Sequence, residues 1–442
     1  MTKQGKVFRY ESFTTDAERG LLTCAYSLDG REFTERVTLP PGPGWDTPAA
    51  QAAARLVFLL SGVSYYKTAA PPVIDLGSNP LTPREQHFLQ DFYQHGLAEY
   101  AYRNALTVAP DMIMGSSGQL LGVTTHDHER SAGWHRALVP FGGGIDSIVT
   151  VEEVRARADV ALFVVSRPGD TYAAIEQPAA VAGLPIVRAE REIDPQLLRS
   201  ADNGFLNGHV PVTGIISAIA VLAAVLDDRD AVVMSNEWSA SIPTLEFEGK
   251  PVNHQYSKSA DFERAFREVL ADGGVPMPEY FSWLRDRTEL WVGREFGSLE
   301  KYHRSFRSCN KAFYADETRR LDHWCGRCDK CCFIDLILAP FLPAAALAEI
   351  FSVAGEPLRD SELREKFRGL LGAGAKPFEC VGEVNECRAA AQLAARRADR
   401  ADNVLLQELA AEVGAWPDAP SAADADAMLA PVGENFVPAA YR

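Results

Sequence analysis

Val139-Pro140-Phe141-Gly142-Gly143-Gly144-Ile145-Asp146-Ser147 is the stretch that decides the fold of this chain. The apolar run 137–141 predicts a buried strand, and residues 148–154 continue with a helical pattern. A strand, a glycine turn and a helix together make an anion cradle. Bare glycines let backbone N–H groups close on phosphate oxygens, and the helix N-terminus adds a favourable dipole. The turn lacks the Gly-Lys-Ser/Thr ending of the common P-loop. Gly142, Gly143, Gly144, Asp146 and Ser147 are therefore the candidate nucleotide-binding residues. An ordinary tight turn would carry glycines too; the flanking strand and helix and the Asp-Ser ending favour the nucleotide.

Outward from this loop, strands and helices alternate. Strands are expected at 137–141, 160–165, 186–189 and 231–235, and helices at 147–157, 171–181 and 213–226, with Thr213 as N-cap. The alternation predicts an α/β fold, a parallel sheet with helices on both faces. Ligands in such sheets lie beyond the carboxyl ends of the strands. Those ends are Gly142, the segment starting at Ser166, the loop after Ala189, and Ser235-Asn236-Glu237. Ser166 thus joins the nucleotide-binding set.

Residues 1–127 read as an α+β lobe, with short strands over 6–38, a turn at Asp29-Gly30, and helices at 49–60 and, long or broken, 82–106. Residues 131–250 form the nucleotide-binding core. Residues 251–442 read as mainly helical, with 417–431, rich in Ala, Asp and Pro, as a loose surface tail.

With 442 residues and 47% hydrophobic content the chain can bury a large core. Its net charge of −16 disfavours a nucleic-acid partner, which would need a basic face. The N-terminus is charged, and the longest apolar run, 214–226, is too short to span a bilayer, so a cytoplasmic protein with no membrane partner is expected. Oligomeric state is not encoded in any pattern recognised here.

Several side-chain groups invite chemistry. Asn253-His254-Gln255-Tyr256-Ser257-Lys258 packs mixed polar groups into one loop downstream of Asn236 and Glu237. Asn236, Glu237, His254 and Lys258 could hold Mg2+, phosphate or a carboxylate. His209 precedes a helix and suits acid–base work or a loop hydrogen bond equally. Arg304 and Arg307, in a locally basic stretch, suit phosphates or carboxylates through bidentate geometry. Cys309, Cys325, Cys328 and Cys331 offer four thiols for structural Zn2+, with Cys332 as a fifth. Cys380 stands apart, beside Glu379 and Glu383, either as a proton-transferring thiol or as packing.

Residues 143–147 resemble the Ser-Gly-Gly-x-Asp-Ser loop of the ATP pyrophosphatase (PP-loop) superfamily, with Gly142 where that loop usually has its first serine. Together with Ser64-Tyr65-Tyr66-Lys67, 207–213, 235–237, 253–258, the cysteine region and 378–382, the chain resembles one family of that group. This is the UDP-N-acetyl-α-D-muramoyl-L-alanyl-L-glutamate epimerase family. The resemblance implies a PP-loop core that uses ATP and Mg2+ to adenylate UDP-MurNAc-L-Ala-L-Glu, releasing AMP and diphosphate and inverting the terminal glutamate. Adenylation would remove the carboxylate charge that otherwise makes the α-hydrogen inert. Proton transfer then needs groups on both faces: Cys380 on one, His209 or His254 on the other. A deazapurine nitrile synthase, a tRNA thiolase and a non-catalytic ATP sensor remain as alternatives at this level.

Overall fold

The computed structural model describes residues 4–114, 135–247 and 249–442. The expected boundary at 127–131 lies outside the described residues. Strands β1 (Val7–Asp16), β2 (Leu21–Leu28), β3 (Arg31–Thr38), β4 (Val73–Asp75) and β5 (Asp111–Ile113) come from the N-terminal part. They are followed by β6 (His135–Pro140), β7 (Ala158–Ser166), β8 (Ile186–Glu192) and β9 (Ala231–Met234). A small hairpin, β10 (Leu245–Phe247) and β11 (Lys250–Val252), precedes β12 (Glu279–Ser282).

Ten strands form one mixed, mostly parallel sheet in the order β12-β9-β6-β7-β8-β3-β2-β1-β4-β5. The run β12-β9-β6-β7-β8 is parallel throughout. Its order reverses between β6 and β9, since the chain winds one way from β6 to β8 and returns on the other side for β9 and β12. That reversal leaves a crevice at the carboxyl ends of β6 and β9, where α/β sheets bind ligands.

Alternation along each strand sends side chains to two cores. Val139, Val160, Leu162 and Val164 pack on one face with the helices Ile145–Val154 and Ala173–Ala182. Leu138, Ala161, Phe163 and Val232 pack on the other with Val212–Leu226 and the N-terminal helix Pro48–Ser61. Helices therefore cover both faces, as the alternating pattern predicts. β12 is a strand that the largely helical C-terminal reading missed; its four residues are too few to carry a period. The hydrophobic helix is capped at Pro211 with no side-chain bond, so Thr213 lies inside it, and its backbone carbonyl accepts from Ser217. Residues 82–106 take the broken form of the two expected, as Pro83–Gly96 and Ala98–Asn104. One further expectation is corrected. The tail is anchored: Ser421 caps Ala422–Met428 with a capping box, Val432 N–H donates to Asp286 O, and Tyr441 is buried with its hydroxyl on Asp230.

The N-terminal strands continue the sheet through an antiparallel seam between β3 and β8. A fully buried carboxylate, Glu35, sits at this seam. Arg191 Nε donates to it at 2.8 Å, and the hydroxyls of Ser61 and Tyr65 donate at 2.7 and 3.0 Å. The glycine turn expected at Asp29-Gly30 joins β2 to β3, and β2 alternates buried and half-buried residues along its length. No helix among the described residues is long and apolar enough to cross a membrane.

Removing one partner of a buried ion pair strands the other charge. Arg191→Met is expected to lower the urea-unfolding free energy by about 3–5 kcal/mol. A loss below about 1 kcal/mol, the range of exposed pairs, would mean the seam does not depend on the ion pair.

Candidate active site

The loop after β6 turns tightly. Gly143 has φ +74, and a Cβ there would lie 2.1 Å from Ala174 O, so only glycine fits. Gly142 faces open space that admits a side chain, which includes the serine of the resembling loop. Gly144 is the N-cap of Ile145–Val154, and Ser147 Oγ donates back to Gly144 O at 3.0 Å. Arg307 N–H donates to Gly143 O at 3.3 Å, which brings the 305–308 segment against the loop. There Arg307 is buried, one guanidinium nitrogen donating to Gln177 at 2.6 Å. Its Nη1, Ser308 Oγ and Ser235 Oγ are buried without partners among the described residues. Arg304 goes elsewhere: it is exposed and paired with Glu349 at 2.7 Å, so its expected part in the site is not supported by any contact there. Ser166 closes β7 at the same edge of the sheet, in register with Glu190.

Asp146 lies in the first turn of the helix. Glu237 follows β9 directly, beside the equally buried Asn236, and Glu289 opens the helix Glu289–Gly297. One carboxylate oxygen from each of Asp146, Glu237 and Glu289 lies within 4.8 Å of the others. Burial, and then the charge of Glu237, pushes Asp146 up to about 6 against the pull of Lys330 and Lys258. Burial and Asp146 push Glu289 well above the carboxylate range. Burial also lifts nearby Glu386, to about 8. Asp146 Oδ1 and Glu289 Oε2 are orphaned. Orphaned, crowded, hard oxygens suit a divalent cation such as Mg2+. Glu289 has no local sequence signature and was not among the expected residues.

Next to the carboxylates stands the thiol of Cys380. Lys258 Nζ donates to its sulfur at 3.5 Å, and Lys330 Nζ donates to its carbonyl. Arg285, buried against Glu263, fixes the backbone on both sides of the site through the carbonyls of Lys258 and Glu237. Burial would raise the Cys380 thiol, but Lys258, His254 and Lys330 overcome it and hold the thiol down at about 6. Its sequence neighbours do not take part: Glu379 accepts from Asn310, and Glu383 caps the helix Val384–Ala395. Burial opposes the charged form of His254, yet the neighbouring Cys380 and the Glu99 carboxylate on its Nδ1 carry it up to about 9. His209 packs against His254 with ring centroids 4.2 Å apart and the rings tilted by 38°; burial and the His254 charge bring it down to about 4. Lys67, from the Ser64–Lys67 string, donates to Asn207 and Gly208 O and so shapes the loop that carries His209.

Cys309, Cys325, Cys328 and Cys331 converge, with sulfurs within 4.8 Å of one another. The Cys309–Cys328, Cys325–Cys331 and Cys328–Cys331 separations are 4.0, 3.6 and 3.4 Å. A tetrahedron with Zn–S of about 2.3 Å has edges of about 3.8 Å, so the four thiols fit zinc. Cys332 is buried outside this group, its thiol raised to about 12 by burial and Asp335. The cluster opens the helix Asp329–Leu338, which carries Lys330, so it braces one side of the Cys380 site.

A phosphate-type loop, a carboxylate triad and a thiolate–imidazolium pair in one crevice define an enzyme of α/β type. Residues 1–283 match the family described as MurL N-terminal domain, and residues 305–424 the MurL C-terminal domain. Three curated relatives are each named UDP-N-acetyl-alpha-D-muramoyl-L-alanyl-L-glutamate epimerase. That of Xanthomonas oryzae pv. oryzae is 36% identical over 99% of this chain and 96% of its own length. Those of Salinispora tropica and a Micromonospora species are 37% identical over 98% of this chain and 94% and 96% of their own. No solved structure matches. The chain belongs to the MurL family and is an epimerase, an isomerase rather than a nucleotide sensor.

The thiol environment is measurable without substrate. Alkylation of Cys380 by iodoacetamide, followed by peptide mass spectrometry, should rise with pH to half-maximum near pH 6, because the thiolate is the reactive form. Lys258→Met should move that midpoint upward. A midpoint near the ordinary thiol value of about 8.5 in the unmodified protein would contradict the geometry.

Proposed function

We propose that the protein inverts the terminal L-Glu of UDP-MurNAc-L-Ala-L-Glu to D-Glu through an acyl-adenylate, consuming ATP and releasing AMP and diphosphate, in the supply of peptidoglycan precursors in the cytoplasm. The curated relatives carry the name of that epimerase over nearly their whole length. The observation that carries the mechanistic part is Lys258. Its ammonium touches the Cys380 thiol and also feels Glu237 and Asp146, so carboxylate activation and proton transfer would share one cavity.

In this reading the loop 142–144, the N-terminus of Ile145–Val154 and the orphaned groups of Arg307 and Ser308 bind the ATP phosphates, as in the PP-loop enzymes the sequence resembles. Asp146, Glu237 and Glu289 would hold Mg2+, which would neutralise phosphate charge. The substrate carboxylate oxygen forms a bond to the α-phosphorus while the bond from that phosphorus to diphosphate breaks. With its charge masked, the carboxyl group acidifies the α-hydrogen, and the Cys380 thiolate takes that proton. A second group returns a proton to the opposite face, and water cleaves the acyl–AMP bond. The four-cysteine group would hold structural Zn2+, with no part in these steps.

Two measurements separate the parts. Cys380→Ala in deuterated water should still form AMP from the L-Glu precursor, yet lose deuterium uptake at the α-carbon by ~100-fold or more, the scale of general-base contributions. Unchanged uptake would move the base to another residue. For the cysteine group, metal analysis of the purified, reduced protein should give about one zinc per chain. Cys325→Ser should lower melting temperature and yield more than turnover per folded molecule. An active protein free of zinc would reject the structural-zinc assignment.

A further inference from the structure

His254 does not stand alone beside the thiol. Its Nδ1 meets the carboxylate of Glu99, a residue only 4% exposed on the helix Ala98–Asn104. Glu99 is itself held by Arg103, whose Nε donates to its other oxygen at 2.6 Å. Arg103 in turn lies over the ring of Phe378, two residues before Cys380, at 4.9 Å from the centroid. The two ends of this chain of contacts come from segments 281 positions apart in sequence and meet only through the fold. With Nδ1 committed to Glu99, the imidazole has its other nitrogen left for the Cys380 side of the site, where it stabilises the thiolate through its charge. A thiol, an imidazole and a buried carboxylate in this order repeat the logic of a nucleophile–base–orienter triad, here set up for a proton rather than an acyl group.

We infer that Glu99 is a positioning residue: by accepting from His254 Nδ1 it fixes the orientation of the ring beside Cys380, making a Cys380–His254–Glu99 relay. His254 thereby belongs to the Cys380 face of the substrate, and the proton donor of the other face is a different group.

The surroundings agree with this assignment. Lys258 and Lys330 face Cys380 along with His254. Lys67 and Lys258 face His209, which packs against His254. Glu99, with Cys380, is what outweighs burial and keeps His254 charged. Glu99, His209 and His254 also bring one ligand atom each within 4.8 Å of the others, the composition of a metal site. Two observations weigh against a metal there. The Glu99 carboxylate is bonded directly to the imidazole, and two lysines already supply positive charge beside His209.

The inference rests on the proposed role of Cys380 only for its effect on turnover, because the thiol reports on the relay in the resting protein. The test is Glu99→Gln, which keeps an acceptor oxygen but removes the charge. Cys380 alkylation should shift its midpoint up by about one pH unit, the size of a lost neighbouring charge. The acid limb of D-Glu formation should shift with it, while AMP formation from the L-Glu precursor stays within about twofold. Glu99→Asp should restore part of the shift, which also guards against a folding defect, and Glu99→Gln should add nothing in a His254→Gln background. An unmoved alkylation midpoint in folded Glu99→Gln protein would overturn the relay. So would a shift that persists undiminished in the His254→Gln background. A moved midpoint with an unmoved turnover profile would uphold the relay and overturn the role of Cys380 in proton transfer.

Discussion

The site is built on an excess of buried negative charge. Asp146, Glu237, Glu289, Glu386 and the Cys380 thiolate crowd into one crevice, and Lys258 and Lys330 are the lysines that answer them. Two ammonium groups and the His254 imidazolium do not balance four carboxylates and a thiolate. The protein meets the difference by keeping Glu289 and Glu386 protonated near neutrality. The orphaned oxygens of Asp146 and Glu289 are what a divalent cation would satisfy. The same imbalance makes Lys258 the hinge of the chemistry. Its charge is shared between the carboxylates that follow the phosphate-type loop and the thiol.

The sheet supplies the geometry that makes such crowding tolerable. Asp146 and Glu237 sit just past β6 and β9, the two strands that flank the reversal of strand order, so they cannot avoid one another. Everything else is brought to that crevice from outside the parallel core. The N-terminal half contributes Lys67 and Glu99, and the Glu35–Arg191 pair bridges it to the core at the β3/β8 seam. The C-terminal half contributes Glu289, Lys330 and Cys380; Lys330 donates to the Cys380 carbonyl, and the four-cysteine group opens the helix that carries Lys330. Neither half alone carries a complete site, and this accounts for a reaction centre spread over residues 67 to 386.

How much of this could be read beforehand follows from how local each signal is. The glycine loop was legible because its constraint acts over six consecutive residues: Gly143 must be glycine, and Asp146 must lie in the first helical turn. The parallel core was legible because alternating strand and helix patterns repeat across residues 137–235. Cys325, Cys328 and Cys331 were legible as a group because their spacing places them on one turn at the start of a helix, and the fold brings Cys309 to them. Glu289, Glu99, Lys330 and Glu386 were not legible, since their roles depend on which face of a remote helix turns inward. Arg304 and Arg307 show the limit best: three residues apart in one basic run, one points to solvent and Glu349, the other is buried against the loop. The neighbours of Cys380 make the same point, because the charges that set its thiol come from Lys258 and His254, not from Glu379 or Glu383.

The central claim is that the substrate carboxylate is activated by transfer of AMP before the α-proton leaves. Oxygen labelling tests it at the bond concerned. UDP-MurNAc-L-Ala-L-Glu carrying 18O in the α-carboxylate of its glutamate is incubated with unlabelled ATP and Mg2+ in unlabelled water, and the nucleotide products are weighed by mass spectrometry. Activation through an acyl-adenylate, followed by cleavage at the acyl carbon, leaves the bridging oxygen on phosphorus, so AMP should emerge with one 18O per turnover. AMP with no label, or label found in inorganic phosphate with ADP as the nucleotide product, would contradict it.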